Sequence, residues 1–221
     1  MRPQQWAKNL LIFLPFIFAV RVAWSPDDLA LVPEMLARLS TVTVALCFVA
    51  SAVYLLNDIW DKDSDRQHPD KMNRPIASGI VGVLYGTISM VLLAAAGLAI
   101  LGVLDLVLVW IALAYILINL AYSAGMKNIV LVDVFAVTSG YVIRIVIGAA
   151  AIGVVPSPWL YVATGAGALF IVVGRRYAEI RLAGNQASAQ RAVLSQYEGP
   201  FICLLYTSDA ADERSSVDLG G

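Results

Sequence analysis

An apolar stretch that ends in a run of acidic residues decides the fold of this chain. It reads LSTVTVALCFVASAVYLLNDIWDKDSD and covers residues 39–65. Its apolar part, 39–58, is long enough to cross about 30 Å of hydrocarbon as an α-helix, which rises about 1.5 Å per residue. Further apolar runs of this kind lie at 9–24, 80–102, 104–122, 129–152 and 158–174. The sequence therefore predicts six membrane-spanning helices, with a kink at Pro15 and tight turns at Asp105 and 153–158.

The composition agrees with a membrane protein. Of the 221 residues, 60% are hydrophobic and 14% are charged, whereas soluble domains carry about 25% charged residues. This balance excludes a disordered chain, a coiled coil and a disulfide-stapled secreted domain. Cys47 and Cys203 have neither the spacing of metal ligands nor that of a disulfide framework. We expect an all-α fold, a polytopic bundle of transmembrane helices.

The positive charges predict the orientation of the bundle. With the N-terminus in the cytoplasm, eleven Lys and Arg residues fall in cytoplasmic segments, and two, Arg21 and Arg38, fall in external ones. Because cytoplasmic loops are enriched in Lys and Arg, we expect 59–79, 123–128 and 175–195 to face the cytoplasm. The expected location is the cytoplasmic (inner) membrane of a bacterium, crossed several times.

The acidic residues that follow the apolar run are the strongest candidate site. Asn57, Asp61 and Asp65 are spaced i, i+4, i+8, and Asp58 shares their side of a helix. Four oxygen-bearing side chains on one side repel one another without a cation. Mg²⁺ prefers such ligands and completes its shell with substrate phosphates, so we predict a Mg²⁺ site. A solvated acidic helix end is the alternative, although a carboxylate directly after an apolar run is costly.

A basic cluster lies in the same loop and consists of Arg66, Lys71 and Arg74. Carboxylates can hold a metal that bridges phosphate oxygens, while a guanidinium binds the same phosphates bidentately. The acidic and basic clusters together therefore predict a diphosphate site. His68 is either a further phosphate contact or a solvated, capping residue.

Four motifs in order carry a resemblance to a known family. NDIWDKDSD at 57–65 matches the NDxxDxxxD motif of the UbiA-type superfamily of intramembrane prenyltransferases. RPQQWAKNL at 2–10, DRQHPDKMNRPIASG at 65–79 and YSAGMKNIVLVDVFAVTSGYVIRIVIGA at 122–149 resemble its decaprenyl-phosphate phosphoribosyltransferase branch. The likeness covers nearly all of 1–202, which we expect to form one UbiA-like transmembrane domain with six of the superfamily's roughly nine helices.

The resemblance implies a reaction and its partners. Members of this branch transfer 5-phosphoribose from phosphoribosyl diphosphate to a polyprenyl phosphate such as decaprenyl phosphate, release pyrophosphate and require Mg²⁺. The product would serve cell-envelope arabinan-type precursors. In this reading Asp58 and Asp61 are the catalytic carboxylates, the active site faces the cytoplasm, the lipid bilayer holds the acceptor, and no nucleic acid takes part. The sequence leaves a homo-oligomer open.

The resemblance also marks candidate substrate-binding residues outside the loop. Tyr122 and Lys127 match the family's YSxxxK pattern. In place of the second Asp-rich motif of typical prenyltransferases, the chain has GRRYAEIRLAG at 174–184. The charged side chains of that segment suit a monophosphate lipid or a sugar phosphate, or else its cations simply end a span; they are Arg175, Arg176 and Glu179.

Three further charged residues have two interpretations each. Asp133 and Arg144 are eleven residues apart in the fifth predicted span, and intramembrane charges either mark a functional site or pair with a neighbouring helix. They therefore line a polar cavity or form a structural ion pair with another helix. Lys8 is either a substrate contact or an interfacial anchor beside Trp6.

Two other functions remain in view from the sequence. A prenyltransferase that moves an isoprenoid from its diphosphate to an aromatic acceptor shares the first Asp-rich motif, but the second motif is missing here. A membrane transporter also buries charges in a helical bundle, yet it does not account for an acidic motif joined to a basic loop. The tail at 203–221 resembles translated sequencing-adapter read-through, with a genuine disordered C-terminus as the alternative.

Overall fold

The fold consists of helices joined by turns. A computed structural model describes residues 3–27, 29–67, 71–125 and 130–183, with the side chains of all of these except 3–5, 130, 131, 133 and 175–183. A 3₁₀ helix (Pro3–Phe13) leads into a short α-helix, α1 (Leu14–Phe18). The remaining helices are α2 (Val32–Trp60), α3 (Lys62–Arg66), α4 (Val83–Leu104), α5 (Leu106–Ala124), α6 (Val130–Ala151) and α7 (Pro158–Ala183). The all-α prediction is confirmed, and the predicted tail at 203–221 lies outside the described residues.

Helix α2 is the centre of the bundle. It packs most extensively against α4 and also contacts the 3₁₀ helix, α5 and α6. The two helices approach closely at Gly97 of α4, where an added Cβ would lie 2.7 Å from Cγ2 of Val49 and 2.8 Å from the carbonyl oxygen of Ala45. Small residues allow such close approach between membrane helices. Because α2 is buried on several sides, it holds its polar C-terminal end in a fixed position relative to the other helices.

Four of the six predicted spans are confirmed by length and composition. Among the described residues, the helices long and apolar enough to cross a membrane are α2, α4, α5 and the Val134–Ala151 part of α6. The other two predicted spans, 9–24 and 158–174, correspond to the shorter apolar helices Trp6–Phe18 and Pro158–Gly174. The predicted turns are also present: Asp105 separates α4 from α5 and accepts a hydrogen bond from the backbone N–H of Val107 at 2.8 Å.

The predicted first span is wrong at its C-terminal end. The helix stops at Phe18 because the chain reverses at Arg21, whose φ of 62° is left-handed, and Trp24 folds back to stack on Phe16 with ring centroids 4.8 Å apart. The rise of a 3₁₀ helix is about 2 Å per residue, so the 3₁₀ helix and α1 together reach about 30 Å. Near Pro15 the helix type changes from 3₁₀ to α, and the kink predicted there stays a prediction.

Candidate active site

The acidic stretch lies where α2 gives way to α3. Asp61 separates the two helices, yet backbone hydrogen bonds from Asp61 to Asn57 (2.9 Å) and from Asp65 to Asp61 (2.8 Å) preserve the i to i−4 pattern across the junction. The predicted helical stacking therefore extends past the end of α2. As a result Asp58 and Asp65 come close enough to contact the same cation, and Asp65 is 3% exposed.

That cation is Arg74. Its Nη1 lies 2.5 Å from Oδ2 of Asp65 and 3.4 Å from Oδ1 of Asp58. The loop after α3 brings Arg74 back to the end of α2 through the backbone hydrogen bond from Ser78 to Arg74 (2.8 Å) and through buried Ile76. One guanidinium thus neutralises two of the four oxygen-bearing residues predicted as metal ligands.

Arg66 has a structural partner in this loop. Its Nε donates a hydrogen bond to the carbonyl oxygen of Ala77 at 2.9 Å, and its Nη1 lies 3.7 Å from Oδ1 of Asp63, which is largely exposed. Lys71 is half-buried in the same loop. Arg66 therefore ties the loop to α3, while Arg74 contacts the acidic site itself.

Asn57 faces a different neighbour from the aspartates. The hydroxyl of Ser123, at the end of α5, lies 2.5 Å from Oδ1 of Asn57. Among the described residues, no three His, Cys, Asp or Glu side chains are close enough to hold a metal ion together. The four predicted ligands are oxygen donors at one end of α2, which suits Mg²⁺ chemically, but Arg74 and Ser123 contact three of them in this structure. The Mg²⁺ ligand set remains a prediction.

A polar cavity of about 170 Å³ begins at Asn57 and extends between α2, α5, α6 and the 3₁₀ helix. Aromatic and amide side chains dominate its wall. Among its described lining residues the charged ones are Lys8 and Arg144, and both are cations. The residues that line it are Lys8, Tyr54, Asn57, Tyr115, Ile118, Asn119, Tyr122, Ala136, Val137, Gly140, Tyr141 and Arg144. The cavity is thus suited to an anionic group.

Arg144 is held by neutral partners. Its Nε donates a hydrogen bond to Oδ1 of Asn9 at 2.8 Å, and its Nη1 donates to the carbonyl oxygen of Gly140. The guanidinium also lies 5.4 Å from the ring centroid of Tyr115, a distance typical of a cation–π contact. Of the two interpretations of Arg144, the lining of a polar cavity is the one that this geometry supports.

Lys8 lines the cavity from the 3₁₀ helix. Its Nζ is 5.4 Å from the ring centroid of Tyr141. Trp6, two residues earlier, has a buried indole nitrogen without a hydrogen-bond partner among the described residues. Lys8 therefore contributes charge to the cavity from the middle of the 3₁₀ helix; an interfacial anchor was the other interpretation.

Comparison with known proteins gives the family. The model of the UbiA prenyltransferase family matches residues 9–195. The chain belongs to this family. The decaprenyl-phosphate phosphoribosyltransferase of Mycolicibacterium smegmatis is 35% identical over 210 residues, which cover 95% of this chain and 65% of that protein. The protein of the same name from Mycobacterium tuberculosis is 34% identical and is covered over 68% of its length. The chain thus spans about two thirds of these relatives.

The fold is similar to that of a solved UbiA structure. The UbiA homologue from Archaeoglobus fulgidus, whose structure contains DMAPP and Mg²⁺, matches with a TM-score of 0.68 and 19% identity, over 87% of this chain and 65% of that one. At this identity the likeness shows the UbiA fold. The chain is therefore a multi-pass membrane protein of the UbiA family, and the resemblance inferred from its motifs is confirmed.

Several predicted site residues of this UbiA chain lie outside the described part. Lys127 and His68 belong to 126–129 and 68–70, which the structure does not describe. Four other residues lie on described helices, but their side chains are outside the description; they are Asp133, Arg175, Arg176 and Glu179. Their predicted roles stay predictions. Tyr122 lines the cavity, and its role in substrate binding stays a prediction.

The UbiA cavity contains residues that the sequence analysis missed. Tyr115 and Asn119 precede Tyr122 on α5 at i, i+4 and i+7, so they share its face, and Tyr141 precedes Arg144 by one turn. Polar and aromatic side chains at helical spacing within an apolar run would have indicated them. Asn9 is different, because no local pattern connects it to a partner 135 residues away.

Proposed function

We propose that this chain transfers 5-phosphoribose from phosphoribosyl diphosphate to decaprenyl phosphate or a similar polyprenyl phosphate and releases pyrophosphate. The observation that carries the proposal is the cavity that lies beside the acidic end of α2 and whose charged described residues are both cations. The names of the relatives that are 34–35% identical support the same reaction. We further propose that this end of the bundle faces the cytoplasm across a bacterial inner membrane.

In the proposed reaction, the cations of the cavity bind a substrate phosphate. An oxygen of the lipid phosphate attacks C1 of the ribose, the bond from C1 to the diphosphate breaks, and pyrophosphate leaves with the electron pair. Lys8 and Arg144 would hold a phosphate group in the cavity, because cations in a poorly solvated site bind anions strongly. Holding donor and acceptor side by side removes most of the entropy cost of their encounter. The apolar outer faces of the helices keep the polyprenyl chain in the lipid.

The acidic residues would hold Mg²⁺. Asn57, Asp58, Asp61 and Asp65 supply carboxylate and amide oxygens, which are its preferred ligands. When bound, Mg²⁺ would neutralise negative charge on the leaving diphosphate. Arg74 would then be available to the donor phosphates, because it is the present counterion of Asp58 and Asp65.

The test is a transfer assay on the purified chain in vesicles with labelled phosphoribosyl diphosphate, decaprenyl phosphate and Mg²⁺. We expect lipid-linked phosphoribose from the parent chain and background levels from Asp58→Asn and Asp61→Asn, because each loses a ligand charge. Asp63→Asn is the matched control: its carboxylate belongs to the same stretch but is 87% exposed. Full activity of Asp58→Asn and Asp61→Asn would refute the assignment of the acidic site.

The same assay separates the other candidate functions. Transfer of an isoprenoid from its diphosphate to an aromatic acceptor, with phosphoribosyl diphosphate left unconsumed, would indicate a prenyltransferase. Movement of a solute across the vesicle membrane without any product would indicate a transporter. Either outcome would overturn the proposed reaction while leaving the fold assignment intact.

A further inference from the structure

A buried polar chain lies behind the cavity and joins three elements. Asn9 of the 3₁₀ helix is 0% exposed. Its Oδ1 accepts the hydrogen bond from Nε of Arg144 on α6 at 2.8 Å, and its Nδ2 donates to Sγ of Cys47 on α2 at 3.1 Å. Asn9 does not line the cavity itself. It contacts the charged group that does.

The chemistry of the pair fixes the orientation of the amide. An arginine Nε can only donate a hydrogen bond, so the atom opposite it must be an acceptor. Oδ1 of Asn9 therefore faces Arg144, and Nδ2 is left for Cys47. With Nε held by Asn9 and Nη1 by Gly140, the plane of the guanidinium is fixed from two sides.

The remaining donors of Arg144 point to a ligand. A guanidinium has five N–H groups, and two of them are used by Asn9 and Gly140. The others have no hydrogen-bond partner among the described residues. Arg144 is 4% exposed, and a cation buried at this depth is costly unless an anion compensates it. Asn9 supplies an acceptor without supplying a negative charge, so it orients Arg144 and leaves the positive charge for that anion.

We propose that Asn9 is a positioning residue that orients Arg144 to bind a phosphate group in the cavity. The proposal rests on the proposed function for the identity of the phosphate, which belongs either to the polyprenyl phosphate or to phosphoribosyl diphosphate. An aspartate at this position would form an ion pair with Arg144 and remove the charge that the phosphate needs. An alanine would leave Nε unpaired and the guanidinium free to rotate.

The experiment measures binding and requires no transfer. The purified chain in detergent micelles is titrated, without Mg²⁺ or the second substrate, with decaprenyl phosphate, with uncharged decaprenol, or with phosphoribosyl diphosphate. For Asn9→Ala we expect affinity for one phosphate ligand to fall by about tenfold to a hundredfold, the effect of one hydrogen bond to a charged group. Affinity for decaprenol should stay unchanged, whereas general damage to the bundle would lower it as well.

Other variants keep the proposal falsifiable if Asn9→Ala does not fold. Asn9→Asp has the same shape and an acceptor for Nε, and we expect it to lose phosphate binding because it neutralises Arg144. Adding Asn9→Ala to Arg144→Gln should cause no further loss of affinity for the phosphate ligand. Ser51→Ala is the matched control, since Ser51 is a buried polar residue of α2 without a partner among the described residues, and it should bind as the parent does.

The separate titrations identify which ligand supplies the phosphate. If only the affinity for decaprenyl phosphate falls, the cavity binds the acceptor. If only the affinity for phosphoribosyl diphosphate falls, the cavity binds the donor. The proposal is overturned if Asn9→Asp binds both phosphates as well as the parent, or if the losses from Asn9→Ala and Arg144→Gln multiply. Because transfer is not measured, failure of the proposed reaction would leave these results interpretable.

Discussion

Replacing Arg74 with methionine tests how the acidic end of α2 is held together. Asp65 is 3% exposed and has its charge balanced by Arg74 at 2.5 Å. Removing one partner of a buried ion pair costs about 3–5 kcal/mol, because the other charge stays buried without compensation. The Arg74 side chain is 26% exposed, so we expect a loss near the lower end, about 3 kcal/mol. The measurement is the free energy of unfolding in mixed micelles titrated with denaturing detergent.

The partner variants make that prediction sharper. Asp65→Leu should lower the free energy of unfolding less than Arg74→Met does. In Asp65→Leu, Arg74 still has Asp58 at 3.4 Å as a partner and retains some contact with water. The double variant should recover part of the loss, since contacting residues are not additive. Asp63→Asn is the control and should cost less than about 1 kcal/mol, as exposed pairs do. Two results would refute the buried ion pair of Arg74 and Asp65. One is that the losses in unfolding free energy of the single variants add in the double variant. The other is that Arg74→Met loses as little as the control.

Two further predictions concern packing and orientation. Gly148→Ala should destabilise the protein by about 1–3 kcal/mol, because its Cβ would collide with the backbone carbonyl of Ile12. Gly165→Ala is the control, since no atom lies within 4 Å of its new Cβ. Equal melting temperatures of the two variants would contradict the close approach at Gly148. In a chain that lacks Cys47 and Cys203, Ser78→Cys should react with a membrane-impermeant thiol reagent only after the inner membrane of the cells is opened, whereas Asp27→Cys should react in intact spheroplasts; the reverse pattern would invert the proposed topology.

Local sequence patterns predicted the acidic end of α2 well. Asp58 and Asp65 meet at Arg74, as their helical spacing indicated, whereas Asn57 contacts Ser123 and the predicted Mg²⁺ ligand set stays a prediction. The apolar runs likewise located α2, α4, α5 and α6, because a span is a property of consecutive residues. The reversal at Arg21 was missed, since a left-handed residue other than glycine carries no clear sequence signal.

Long-range contacts are the part that spacing could not supply. The pairing of Arg74 with Asp58 and Asp65 depends on how the loop folds back, and the same sequence allowed Arg66 or Lys71 in that place. Asn9 and Arg144 are 135 residues apart, so their contact exists only after the 3₁₀ helix has packed on α6. Tertiary packing, not periodicity, decides which polar residues of an apolar chain meet.

The two charged regions of the site differ in how their charge is balanced. At the acidic end, Arg74 already neutralises Asp58 and Asp65 within the protein. In the cavity, Arg144 is buried, and its hydrogen-bond partners, Asn9 and the backbone of Gly140, are neutral. Since unbalanced buried charge costs more than balanced charge, a ligand gains most by bringing its anion to the cavity first. In the proposed reaction, Arg74 would turn from Asp65 to a donor phosphate only with another cation, such as the proposed Mg²⁺, beside the carboxylates, because Asp65 would otherwise stay buried without compensation.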